Sequence, residues 1–178
     1  MEKRISKVNI SSAGGTASPG SKTCKVTIPN AWVTALGIDE LHREIELTFD
    51  GNQVNLTRSI NIKEFASQRL ADKHNVHRLQ YYDGSTLCTT IIADFTSKDI
   101  KVENYVSNPV KTAFGNNILP TWDDFYYFLH ERCIPSQRAG LREYLEAIGV
   151  GEFDPLEIIK KTEGRTAEDN QWLEMEAM

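Results

Sequence analysis

The sequence predicts an α+β fold in two parts, a strand-dominated N-terminal third followed by a β-meander packed with helices. Three observations carry this expectation. Polar and apolar residues alternate with period two at Lys25-Val26-Thr27-Ile28, at Glu44-Ile45-Glu46-Leu47-Thr48-Phe49 and again in segments from Leu79 to Val106, the pattern of strands with one covered face. Helix-capping residues cluster in the last third, at Thr121 and at Asp154-Pro155. A single helical segment, opened by Asn61, separates the two regions.

The N-terminal elements follow in order. Ile5, Val8 and Ile10, with Lys7 and Asn9 among them, read as a first strand with an irregular start. Ser11 to Ser21 is rich in Gly, Ser and Ala and reads as a long mobile loop. Its hydroxyls and amides, with Lys22 as the charge, suit an arm that orders on phosphate; a plain linker between strands accounts for the same residues. Gly20-Ser21-Lys22-Thr23 is not a phosphate-binding P-loop, because a strand follows it where that motif needs a helix. Pro29 lacks the N–H donor a ladder requires and ends the strand Lys25–Ile28. Asn30 is expected to cap a short helix over Ala31–Leu36, and Gly37 to end it in the left-handed conformation. Glu44–Phe49 and Val54–Thr57, joined by a turn at Asp50-Gly51-Asn52, make a hairpin.

The order of basic strand, Thr27-Ile28-Pro29, short helix, Leu36-Gly37 and terminal hairpin, over residues 5 to 58, resembles the SpoVT/AbrB/MazE family of swapped-hairpin DNA-binding domains. The segment Ser11–Ser21 is longer than the compact loop usual at that place in the family. The resemblance implies a dimeric swapped-hairpin β-barrel, in which neither protomer closes its own barrel and two chains interleave. It implies a dimer core of Val26, Ile28, Trp32, Leu36, Ile45, Leu47 and Phe49. It also implies a basic β surface of Arg4, Lys7, Lys22, Thr23 and Lys25, repeated by a two-fold axis and matched to double-stranded DNA. Size argues the same way, since a segment of this length with one short helix buries little by itself. The same cations are also what a solvated sheet edge uses against aggregation.

With 178 residues, 40% hydrophobic and 25% charged, the chain has the composition of a soluble globular protein and room for two small domains. No apolar run reaches the roughly 20 residues that cross a bilayer, and Met1-Glu2-Lys3-Arg4 is not followed by a signal core, so a cytoplasmic protein is expected. Cys24, Cys88 and Cys133 encode neither a disulfide framework nor a zinc ribbon. Charge is unevenly spread: residues 1–59 hold seven basic against six acidic side chains, residues 121–178 six against thirteen. Lys3, Arg4, Lys7, Lys22 and Lys25 precede every acid of the first segment except Glu2. A local basic surface can hold phosphate despite an acidic total, because salt screens charges beyond about 8–10 Å.

The domain boundaries follow: 1–59 for DNA binding and dimerisation, 60–75 for a linker helix, 76–178 for an α+β domain. Asn61 with Glu64 at N3 opens a helix to about Lys73. His74-Asn75-Val76-His77 reads as a turn, because no further ligand stands at metal-binding spacing. Leu79–Tyr82, Leu87–Phe95 and Ile100–Val106, with turns at Asp83-Gly84 and Ser97–Asp99, make a three-stranded meander. Thr121 caps a helix over Trp122–Arg132, a second runs from Gln137 to Ile148 with Gly149 at its end, and Asp154-Pro155 opens a third through Lys161. The string from Glu131 to Glu174 resembles a C-terminal segment recurrent in small proteins of gut Clostridia, with no chemistry attached to it.

His130, Arg132, Arg138, Asp154, Arg165 and Asp169 are residue types a phosphodiester enzyme uses, but no spacing makes them a catalytic set, and the arginines suit ion pairs between helices. No enzyme activity, no cofactor and no metal is expected. The expected function is that of a homodimeric regulator or antitoxin-like factor on double-stranded DNA, with a possible protein partner at the acidic C-terminal domain. The alternative is an anti-CRISPR-type inhibitor of a Cas nuclease, carried by a mobile element, whose acidic half occupies a basic nucleic-acid channel.

Overall fold

The computed structural model describes residues 2–16, 18 and 20–178, so Ala17 and Pro19 of the expected loop lie outside the described residues. It is a mixed α+β structure with small antiparallel sheets and, among the described residues, five α-helices. The chain divides into two compact units between Ser59 and Ile60.

In the first unit β1 (Val8–Ser12) pairs with β2 (Lys22–Val26), and β3 (Ile45–Phe49) pairs with β4 (Val54–Arg58), each as a separate two-stranded sheet. The first hairpin reaches further into the expected loop than alternation suggested. Ser11 faces Thr23, Ser12 faces Lys22, and Ala13 N donates to Ser21 O at 2.9 Å. A backbone ladder needs no apolar side chain, so serines extend it without leaving a hydropathy signal. α1 (Asn30–Ala35) starts one residue early: Pro29 occupies the cap position with ψ 136°, and Asn30 is the first helical residue and caps nothing. The helix ends as expected, with Gly37 at φ +70°, Gly37 N donating to Thr34 O and Ile38 N to Val33 O. At the second turn the Asp50 carboxylate accepts from Asn52 N and Gln53 N, both at 2.9 Å. No barrel closes among the described residues of this unit, and none of its described residues is buried.

The second unit is built on an antiparallel sheet in the order β7-β6-β5-β8, from β5 (Val76–Asp83), β6 (Thr86–Asp94), β7 (Asp99–Asn104) and β8 (Gln171–Ala177). α2 (Ile62–Ala71) covers one face, burying Phe65 and Ala66 with Val76 and Ile92. The expected linker helix is therefore an outer layer of this unit, because its apolar stripe has strand residues to pack on. The other face, through Leu79, Tyr81, Ile91 and Leu173, packs against α3 (Trp122–Glu131) and α5 (Pro155–Thr162), which contribute Phe125, Leu129 and Ile159. α4 (Leu141–Ile148) joins α5 in a smaller cluster of Leu145, Val150 and Ile158.

In the second unit the side-chain caps form where expected. Asn61 accepts from Glu64 N at 2.9 Å, Thr121 and Asp124 make a reciprocal capping box, and Asp154 accepts from Leu156 N. The helix expected from Gln137 begins only at Leu141, because Gly140 at φ +77° breaks the helical path just before it. The turn expected at His74–His77 gives way at Val76, where β5 begins. β8 was not expected at all.

Candidate nucleic-acid interface

The register of the first hairpin sorts the five expected DNA-contact residues. Directly opposed residues share a face, so Asn9 with Lys25 and Ser11 with Thr23 form one face, while Val8 with Val26, Ile10 with Cys24 and Ser12 with Lys22 form the other. Thr23 and Lys25 therefore stand together on a hydrophilic surface. Lys22 falls on the apolar side, at the loop end of its strand. Lys7 immediately precedes β1 and Arg4 lies in the lead-in; both are exposed. Between Lys22 and Lys25 the strand rises roughly 10 Å, at about 3.4 Å per residue, comparable to one Debye length at physiological salt. Asn9 and Ser11, donors on the same face as Lys25, were not expected; only the pairing register brings them there.

The second hairpin is segregated in the same way. Ile45, Leu47 and Phe49 share one face with Val54, Leu56 and, at its end, Arg58, and Glu46, Thr48, Asn55 and Thr57 share the other. Among the described residues nothing in the unit fully buries the apolar face: Leu56 is half-buried, but Phe49 is 69%, Val54 64% and Leu47 60% exposed. In the first hairpin Val26 is more than half exposed, as are Val8 and Ile10. Among the other expected core residues, Ile28 and Trp32 are half-buried, Trp32 Nε1 donates to the Glu2 carboxylate, and Leu36 and Ile45 remain exposed.

Of the charged residues of the second unit with catalytic side-chain types, Arg138 is exposed and makes no ion pair among the described residues, and the others are held in the framework. Arg132 is buried and donates to both carboxylate oxygens of Asp169, to Gly164 O and to Gln171 O. Arg165 pairs with Glu163 and lies 4.7 Å from the Trp172 ring. His130 is packed against the rings of Tyr126 and Phe153, and Asp154 caps α5. Asp94 is fully buried and accepts from His74 Nδ1 at 2.6 Å, the Ser97 hydroxyl, Ser97 N and Thr96 N, with Arg69 Nε at 3.4 Å. Burial pushes its carboxyl up, but the hydrogen bonds from His74, Ser97 and Thr96 outweigh that and bring it down to about 2. His74 thus ties the end of α2 to the end of β6. No group of three or more His, Cys, Asp or Glu residues could hold a metal among the described residues. No helix among them is long and apolar enough to cross a membrane.

Compared with protein-family models, curated proteins and solved structures, the chain matches none. Its class rests on its own architecture, two small amphipathic hairpins and a three-layer α+β unit.

Proposed function

We propose that the protein is a homodimeric regulator of double-stranded DNA, of the SpoVT/AbrB/MazE swapped-hairpin type, with residues 1–59 as its binding and dimerisation part. One observation carries the reading: both hairpins separate polar from apolar residues, yet no described residue of the unit is buried. A two-stranded sheet with a bare apolar face is marginal in water. A second copy supplies the missing cover, with Val26, Ile45, Leu47 and Phe49 of each chain in a shared core. Two-fold symmetry then repeats Thr23 and Lys25, flanked by Arg4 and Lys7, on a surface that fits successive turns of a duplex. If each protomer neutralises three phosphates, about five counterions leave on binding and affinity falls steeply with salt.

The test joins two measurements on the whole chain. A gel shift with short random duplexes is expected to give binding at low salt that vanishes near 0.3 M. Cys24 shares the apolar face with Ile10 and is exposed in the single chain. Its thiol is expected to be protected from a soluble disulfide reagent at concentrations where light scattering gives a dimer mass, and to react on dilution to monomer. A monomer at all concentrations, or a freely reactive Cys24 in a dimer that does not retard duplex, removes the proposal.

A further inference from the structure

A cleft of about 860 Å³ lies in the second unit between the start of α3 and the loop leading into α5. Its lining includes the rings of Phe95, Trp122, Tyr126 and Phe153. These rings are held by one another: Phe95 meets Trp122 edge-on at 5.1 Å, and His130 bridges Tyr126 at 4.8 Å and Phe153 at 5.6 Å. Tyr126 remains 48% exposed although it is aromatic. Around the rings stand four carboxylates, Asp123, Glu152, Asp154 and Glu157, against the single ammonium of Lys98.

Local structure accounts for only some of these acids. Asp154 caps α5, and Glu157 pairs with Lys160. Asp123 lies in the first turn of α3, where a helix dipole favours a carboxylate. Glu152 lies in no helix, and neither its carboxylate nor that of Asp123 makes a hydrogen bond or ion pair among the described residues. Concave walls of low dielectric concentrate the field of such unpaired charges. Aromatic faces attract the same sign of ligand, because their quadrupole presents negative charge to a cation.

We infer that this cleft binds a polypeptide segment bearing arginine or lysine side chains, with the cations over Trp122 and Tyr126 and paired to Asp123 and Glu152. A polypeptide fits better than a lone organic cation, because the volume lies toward the upper end of the roughly 300–1,000 Å³ range of ligand sites. Guanidinium groups suit the site best: they stack on rings and meet carboxylates with two donors at once. The inference uses the second unit alone and does not depend on DNA binding by the first.

Fluorescence anisotropy on the full chain tests it, with a labelled peptide in which three arginines alternate with glycine. The matched peptide with citrulline for arginine keeps shape and loses charge. The arginine peptide is expected to bind saturably and the citrulline peptide not to bind. The double variant Asp123→Asn/Glu152→Gln and the single variant Tyr126→Ala are each expected to weaken binding about tenfold. The charge-matched variant Glu143→Gln/Glu168→Gln, on residues outside the cleft lining, is expected to leave it unchanged. Unfolding midpoints of all three variants verify that the fold survives. Equal weakening by the control variant, unchanged binding in Tyr126→Ala, tight binding of the citrulline peptide, or no binding of the arginine peptide each overturns the inference.

Discussion

Arg132 and Asp169 join the end of α3 to the segment before β8 through two parallel hydrogen bonds, at 2.7 and 3.1 Å. The same guanidinium donates to Gly164 O at 2.9 Å and Gln171 O at 2.7 Å, so one side chain fixes the whole path from α5 to the last strand. The side chain of Arg132 is only 7% exposed, and removal of its partner would leave a desolvated charge. Asp169→Ala is therefore expected to cost about 3 kcal/mol in urea unfolding, whereas Arg132→Met, which removes the charge and keeps the volume, costs less. If Asp169→Ala is the milder of the two, the pair is not the clamp.

Asp94 sets the behaviour of the second unit in acid. Its folded-state pKa of about 2 lies below its ordinary 3.8. A depressed carboxyl stabilises the fold fully above pH 3.8, and that contribution is lost as pH falls from about 4 to about 2. The difference corresponds to about 2 kcal/mol. Urea midpoints measured across this interval should fall steeply in the natural protein and less steeply in Asp94→Asn. The variant should also be weaker at neutral pH, because Arg69 and His74 lose the carboxylate charge they share and the amide offers one acceptor oxygen in place of two.

Gly164 separates steric from conformational demands. At φ +58° it lies in the left-handed region, and a methyl group there would stand 3.1 Å from Leu173 Cδ1 and 3.2 Å from Arg132 Cβ. Gly115, at φ +57°, has nothing within 4 Å of the same position. Gly115→Ala should cost about 1 kcal/mol, the backbone penalty alone, and Gly164→Ala about 2–4 kcal/mol, since overpacking adds to it. Thermal unfolding of the two variants side by side tests the difference.

What the sequence disclosed follows the range of the interactions. Asn61, Thr121 and Asp154 were legible because a cap satisfies N–H groups two or three residues away. The three-strand meander was legible because its turns are short and its strands are rich in β-branched and aromatic residues, although β6 is covered on both faces and does not alternate. β8 was hidden for the opposite reason. It pairs with β5 across most of the second unit, Tyr82 stacking on Trp172 at 4.3 Å, and its Gln, Glu and Met residues favour helix. The one signal was Leu173 and Met175 alternating with Glu174 and Glu176. The Asp94 network is likewise a meeting of His74, Arg69 and Ser97 from three segments, with no motif to mark it. At the candidate interface the basic residues were visible, but their faces were not. A strand's register across a long loop depends on which serines join the ladder, and serine carries no hydropathy pattern.

That register yields the sharpest expectation for the DNA reading. Lys25 stands on the hydrophilic face with Thr23, Asn9 and Ser11, and Lys22 on the face with Val8, Ile10 and Val26. If a second copy covers the apolar face, Lys22 sits at the margin of the dimer core and Lys25 on the surface left free. Lys25→Glu should then weaken duplex binding about tenfold or more and lower the salt slope by about 1 per protomer, with the dimer intact. Phe49→Asp should do the reverse in order: it dissociates the dimer first and loses DNA binding as a consequence, because a monomer presents half the cations. Lys22→Glu should affect dimer stability as much as DNA affinity. Light scattering and gel shifts on the three variants separate these outcomes. Loss of binding by Lys22→Glu with Lys25→Glu unaffected would mean that the apolar face, and not the hydrophilic one, meets the duplex. The shared core would then have to lie elsewhere.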